Sequence, residues 1–180
     1  MNLLSPKTDV SRPITDRVKE SLFNVIWNYG FPEGKVTADL FCGVGSLGLE
    51  ALSRGAEFVS FVEKDPNIVT TLRRNIEKAG FTGVSKVIRA DAFKVGAPVD
   101  VQKYDLIFVD PPYAASKETK EDSLLGKLLI LLSEQLSPNG IAIVRTEKRV
   151  DLLEQYGRLK VIERRQWGTM AVTILQRSSK

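Results

Sequence analysis

Five short apolar runs, each four to six residues long, alternate with longer segments of helical periodicity. The runs are Val36 to Phe41, Phe58 to Val62, Val84 to Ile88, Tyr104 to Val109 and Ile141 to Val144. Runs of that length without strict polar alternation suit strands buried on both faces, and helices between them suit parallel crossovers. Few folds satisfy both conditions. The pattern predicts an α/β chain with a doubly wound, mostly parallel sheet. Leu159 to Arg164 and Thr169 to Leu175 read as a closing hairpin, which adds an antiparallel strand.

The helices have local signals. Thr15 precedes Val18, Leu22, Val25, Ile26 and Tyr29 at helical spacing and reads as an N-cap. Ser46 to Arg54 is closed by Gly55, and Asp65-Pro66 opens a helix that stops at Gly80. Leu124 to Leu136 is the most apolar helix, followed by a turn at Pro138-Asn139-Gly140. A short helix is expected over Arg149 to Glu154, an exposed loop over Lys117 to Glu121, and extended chain over Met1 to Arg12. At 180 residues the whole reads as one domain, 1–180.

In doubly wound sheets ligands bind beyond the carboxyl ends of the strands. The unusual residues of this sequence all fall there. After the first run, Gly43, Gly45 and Gly48 form G-x-G-x-x-G, and Glu63 ends the second run twenty residues after Gly43. Glycines let a ligand approach main-chain N–H groups, and an acid at that distance accepts ribose hydroxyls. A nicotinamide dinucleotide fits this spacing. Asp39 argues for another nucleoside ligand, because a carboxylate beside the turn repels a pyrophosphate. S-adenosylmethionine has no phosphate, and its ammonium suits that acid. Asp91, after the third run, reads either as a helix cap or as an acceptor for an adenine amino group.

The fourth run ends on Asp110-Pro111-Pro112-Tyr113. The prolines end strand pairing and stiffen the chain. A carboxylate, a fixed carbonyl and a flat ring then form a clamp for a planar amine. What the chain lacks narrows the chemistry further. It has no histidine and one cysteine, Cys42, which excludes histidine-based catalysis, histidine-ligated metals and a cysteine zinc cluster. Methyl transfer from a sulfonium needs alignment rather than a strong base.

Acids at four successive strand ends resemble the class I S-adenosylmethionine-dependent methyltransferases, and D-P-P-Y resembles the motif of those that methylate exocyclic amines. With R-P-I-T-D-R at Arg12 to Arg17, D-L-F-C-G-V-G-S-L-G, F-V-E-K-D, D-L-I-F-V-D-P-P-Y and a closing W-G-T, the chain closely resembles the RsmD family over roughly Ser11 to Leu175. That family consists of 16S ribosomal RNA guanine-N2 methyltransferases with a Rossmann-like sheet. The resemblance implies catalytic roles for Asp110, Pro111, Pro112 and Tyr113. It implies cofactor contacts from Thr15, Arg17, Asp39, Phe41, Cys42, Gly43, Gly45, Leu47, Gly48, Glu63, Lys64, Asp91, Ala92 and Asp110. The cofactor it implies is S-adenosyl-L-methionine, and the partner is ribosomal RNA or the small ribosomal subunit. On their own, Thr15 reads as a helix cap, Arg17 as a surface charge and Cys42 as packing. A DNA amino-methyltransferase could use the same clamp, but the chain has no room for a separate target-recognition domain.

A cytoplasmic monomer without metal or membrane contact is expected. Family members usually start with a basic, glycine-rich segment of the R-I-I-G-G-x-x-x-G-R type, and the residues before Arg12 do not match it. The basic end of the chain is the expected substitute for holding RNA. Nine Lys or Arg face four Asp or Glu from Arg145 to Lys180, more than the net charge of +4 of the whole sequence.

Overall fold

Residues 2–4, 13–100 and 102–179 are described by a computed structural model. Most of the expectation for Met1 to Arg12 therefore lies outside the described residues. Among the described residues five α-helices and eight strands run α1 (Asp16–Trp27), β1 (Val36–Leu40), α2 (Ser46–Ser53), β2 (Phe58–Glu63), α3 (Pro66–Ala79), β3 (Ser85–Arg89), α4 (Ala92–Val95), β4 (Tyr104–Val109), α5 (Leu124–Gln135), β5 (Leu136–Glu147), β6 (Gln155–Tyr156), β7 (Leu159–Trp167) and β8 (Met170–Arg177).

The sheet order is β3-β2-β1-β4-β5-β8-β7-β6. The first five of these strands pair in parallel, and β8, β7 and β6 continue the sheet antiparallel. Alternate strand residues feed two cores. Phe61, Leu106, Phe108 and Ile143 pack with Phe23 and Ile26 of α1, Leu49 of α2 and Leu72 of α3. Val62, Ile107, Val109 and Val144 pack with Ala92 of α4 and with Leu125, Leu128 and Leu132 of α5. Helices thus cover both faces, as the runs predict. Strand order reverses between β1 and β4, where Leu40 lies opposite Val109. This is the switch point at which a doubly wound sheet opens a crevice.

Caps hold the helix starts. Thr15 accepts from the Val18 N–H at 3.3 Å, Asp65 from the Asn67 N–H at 2.8 Å and Ser123 from the Gly126 N–H at 3.0 Å. Each satisfies a donor the first turn leaves unpaired.

Three expectations are corrected. Pro138-Asn139-Gly140 is not a turn between elements; it lies inside β5 as an irregularity. Between the Tyr104–Leu136 and Leu106–Ile141 pairs the register shifts, and Asn139 takes φ +63°. Arg149 to Glu154 forms no helix. The Arg164 guanidinium donates to the carbonyls of Lys148 (2.7 Å) and Val150 (3.3 Å), groups a helix would have used itself. The closing hairpin is also longer than its apolar residues suggest, because cross-strand pairing extends through the polar residues Arg164 to Gln166. Among the described residues no helix is long and apolar enough to cross a membrane, and no group of three or more His, Cys, Asp or Glu could hold a metal ion.

Candidate active site

The chain leaves β1 through a strained position. Phe41 has φ +56°, a left-handed conformation that costs a bulky residue energy and persists where the surroundings enforce it. Its ring lies 4.7 Å from that of Phe93. The following loop is tied down by the Cys42 N–H to the Val62 carbonyl (3.2 Å) and by the Gly45 N–H to the Cys42 carbonyl (2.9 Å). The buried Asn75 side-chain amide donates to the Val44 carbonyl at 3.0 Å. Gly45 caps α2 at φ +93°. Gly48 is required for another reason: a Cβ there would stand 2.3 Å from the Phe61 ring. Helix α2 therefore lies close against β2.

Two carboxyl groups brace this loop, and a third caps the neighbouring helix α4. The Asp39 Oδ2 accepts the Gly48 N–H at 2.8 Å while the residue is 1% exposed. Burial pushes its carboxyl up to about 8, the Gly48 bond opposes that, and the charges of Asp110 and Glu63 add to it. The Glu63 carboxylate accepts from the Gly43 N–H (3.0 Å), the Lys64 N–H (2.9 Å) and the Asp65 N–H (3.0 Å). Asp91 caps α4 through the Phe93 N–H at 3.0 Å. The cap reading of Asp91 is the one the structure shows, and the residue also lines the cavity described below.

At the end of β4, the Asp110 Oδ1 receives the Arg145 Nε–H at 2.8 Å. The Arg145 side chain is 7% exposed and that of Asp110 is 23% exposed. Burial raises the Asp110 carboxyl, and the Arg145 charge and hydrogen bond pull it back. A buried charged pair of this kind fixes orientation more than it adds stability. Pro111 is buried, and Tyr113 begins a single 3₁₀ turn that runs to Ala115.

A cavity of about 1240 Å³ joins these parts. Pockets for a single drug-sized ligand span roughly 300–1,000 Å³, so this space exceeds an ordinary one-ligand pocket. Of the residues singled out in the sequence, Asp39, Phe41, Cys42, Gly43, Leu47, Glu63, Lys64, Asp91, Ala92, Asp110, Pro111, Pro112 and Tyr113 line it. Gly45 and Gly48 stand behind the wall and shape it. Thr15 and Arg17 are exposed on α1 outside the lining; Pro13 and Ile14 take that place. Cys42 is a packing residue in the wall, its thiol pushed well up by burial. Sequence reasoning missed the wall opposite the glycine loop, formed by Arg145, Glu147, Lys148, Arg149, Gly168 and Thr169. The local excess of basic residues and the W-G-T tripeptide were the available signals.

Over residues 1–176 the chain matches the family described as conserved hypothetical protein 95. It is 37% identical over 171 residues to the putative rRNA methyltransferase YlbH of Bacillus subtilis, covering 93% of this chain and 88% of that protein. It is 33% identical over 144 residues to the ribosomal RNA small subunit methyltransferase D of Haemophilus influenzae, covering 79% of this chain and 71% of that one. This chain belongs to the RsmD family. The fold agrees: the putative methyltransferase yhhF of Escherichia coli superposes with a TM-score of 0.78 at 28% identity, over 98% of this chain and 92% of that one. The sheet is the Rossmann-like methyltransferase sheet, with its mostly parallel strands and antiparallel end. With family membership the nicotinamide reading of the glycine spacing falls away.

Proposed function

We propose that this protein transfers the methyl group of S-adenosylmethionine to the exocyclic N2 of a guanine in small-subunit ribosomal RNA, with residues 1–180 acting as one methyltransferase domain. One observation carries the reading: the braced glycine loop and the Asp110-to-Tyr113 clamp open into one cavity. Family membership and the ribosomal RNA named for the relatives support it.

The donors around the glycine loop fit the cofactor. The acids nearest the loop are Asp39, on Gly48, and Glu63, on Gly43. In their ionised forms they suit an ammonium and hydroxyl groups, and neither offers a counter-charge to a pyrophosphate. Asp39 would hold the ammonium, Glu63 the ribose hydroxyls, and Asp91 and Ala92 the adenine edge, with Phe41 and Leu47 as apolar wall. When bound, S-adenosylmethionine supplies a methyl group already activated by its sulfonium.

The chain's own task is to present the amine. An exocyclic base nitrogen is a weak nucleophile, because its lone pair is delocalised and positive charge grows on it during attack. Asp110 accepts one N–H and the Pro111 carbonyl the other, so a negative group and a dipole face the developing charge. Proline fixes that carbonyl, so no reorganisation is needed. Arg145 holds the carboxylate in place and favours its ionised form against the effect of burial. The Tyr113 ring offers a face on which the base stacks, a contact worth about 1–3 kcal/mol. When the methylated nitrogen sheds its proton, Asp110 is the acceptor within reach. Its burial-raised affinity suits that step. A guanine inside a duplex must leave the stack to enter.

Incubation with methyl-labelled S-adenosylmethionine and small ribosomal subunits, naked 16S RNA or duplex DNA, followed by nucleoside analysis, tests this. Label in N2-methylguanosine is expected. Label only in DNA or only in protein overturns the reading.

A further inference from the structure

The basic surplus of the C-terminal third is not spread evenly once the chain is folded. Arg145 is held by Asp110, Arg158 by Glu134, Arg164 by Asp151 and Arg165 by Glu163. Arg177 donates to the Leu136 carbonyl. Lys160, exposed on β7 and without an ion pair among the described residues, lies outside the cavity lining. Lys148 and Arg149 differ. Both are exposed, and among the described residues neither has an ion pair. Both also line the cavity on the side of Arg145 and the clamp, away from the glycine loop.

The turn that carries them is built rather than loose. The Lys148 N–H donates to the Thr169 carbonyl at 2.9 Å, and the Val150 N–H to the Glu147 carbonyl at 3.0 Å. From below, the Arg164 guanidinium donates to the Lys148 and Val150 carbonyls and pairs with Asp151 at 3.3 Å. Arg164 is thereby used to fix the backbone, and the two neighbouring cations are left for something else. Glu147 lines the same wall as the last residue of β5. An anion is disfavoured beside it and favoured at the two cations that follow.

We propose that the Lys148–Arg149 turn is a phosphate clamp that grips the RNA backbone next to the nucleotide whose base enters the cavity. This rests on the RNA reading above and assigns the step that reading leaves open, how the strand is held at the mouth. Two cations on a pinned turn contact phosphates without reading sequence, so they set register and leave base choice to the Asp110 clamp. An exposed lysine elsewhere, such as Lys103 just before the amino end of β4 and outside the cavity lining, has no such role.

The test compares wild type, Lys148→Ala/Arg149→Ala and the control Lys103→Ala. Binding of a labelled single-stranded RNA oligonucleotide is followed by anisotropy from 50 to 300 mM salt, and methyl transfer to 16S RNA is measured alongside. Each lost phosphate contact on a single strand lowers the slope of log affinity against log salt by about 0.7. The double variant should lose about 1.4 of slope and raise the KM for RNA about tenfold at 150 mM salt. Its kcat, its affinity for S-adenosylmethionine and its thermal midpoint should stay at wild type, and Lys103→Ala should keep the full slope. If wild type binds and methylates RNA while the double variant keeps its slope and KM, the clamp assignment is overturned and RNA methylation stands. If the slope is kept but affinity for assembled subunits is lost, the turn meets an acidic protein surface, which also overturns it. If wild type neither binds nor methylates RNA, the functional reading fails and takes the clamp with it.

Discussion

Asp39 stores a proton that cofactor binding should expel. Its carboxyl moves from an ordinary 3.8 to about 8 because it is buried at 1% exposure with one backbone N–H as compensation. A raised folded-state value means the native protein holds the proton more tightly than the unfolded chain. The stability this provides is complete below about pH 4 and is lost as pH rises through 8. Each unit is worth about 1.4 kcal/mol, so a four-unit span sets a ceiling of about 6 kcal/mol. Asp39→Asn keeps an acceptor for the Gly48 N–H and removes the titration. Urea unfolding of the cofactor-free proteins at pH 5.5, 6.5 and 7.5 should show wild-type stability falling relative to Asp39→Asn by about 1.4 kcal/mol per unit. Calorimetry should show the complement. An ammonium beside Asp39 favours its ionised form, so affinity for S-adenosylmethionine should rise about tenfold per unit over the same window in wild type and stay flat in the variant. The ligand's own amino group titrates above that window. Parallel stability lines for the two proteins, with no relative change across two pH units, would refute this account of Asp39.

Arg145→Gln leaves the Asp110 carboxylate without its buried partner and should cost about 3–5 kcal/mol in chemical denaturation. In the pH–rate profile its acidic limb should move to higher pH, because Arg145 holds the Asp110 carboxyl down; Arg145→Lys should restore part of that shift. Asp110→Asn should lower kcat for methyl transfer about 10²–10³-fold while calorimetric affinity for S-adenosylmethionine changes little, since the group acts on the amine. Gly48→Ala places a Cβ 2.3 Å from the Phe61 ring and 3.0 Å from the Asp39 Oδ2. The thermal midpoint should fall, with about 1–3 kcal/mol lost to overpacking.

Much of this was legible before folding, because strand ends and helix caps are local. Thr15, Asp65 and Ser123 each cap from their own sequence neighbours, and the acids at or just past the carboxyl ends of β1 to β4 reach the crevice because parallel strands carry those ends to one edge. The glycines split by function in a way spacing alone does not show. Gly43 lines the cavity, while Gly45 caps a helix and Gly48 lets it pack on Phe61. What stayed hidden was set by distant partners. Arg145 gains its role only when β5 lies beside β4 and brings it to Asp110, 35 residues away in sequence. Pro138-Asn139-Gly140 carries every local sign of a turn, yet pairing with β4 on either side keeps it within a strand. The Arg149 to Glu154 segment has helix-compatible residues, but Arg164, from β7, claims the carbonyl of Val150 and that of Lys148 just before the segment.

A crystal of the protein with S-adenosylhomocysteine and guanosine 5′-monophosphate tests the central claim most directly. The account predicts the guanine N2 within hydrogen-bond distance of both the Asp110 carboxylate and the Pro111 carbonyl, with the adenosyl group on the Glu63 and Asp91 side of the same cavity. A guanine seated elsewhere, or Asp110 still closed on Arg145 with no contact to the base, would contradict it.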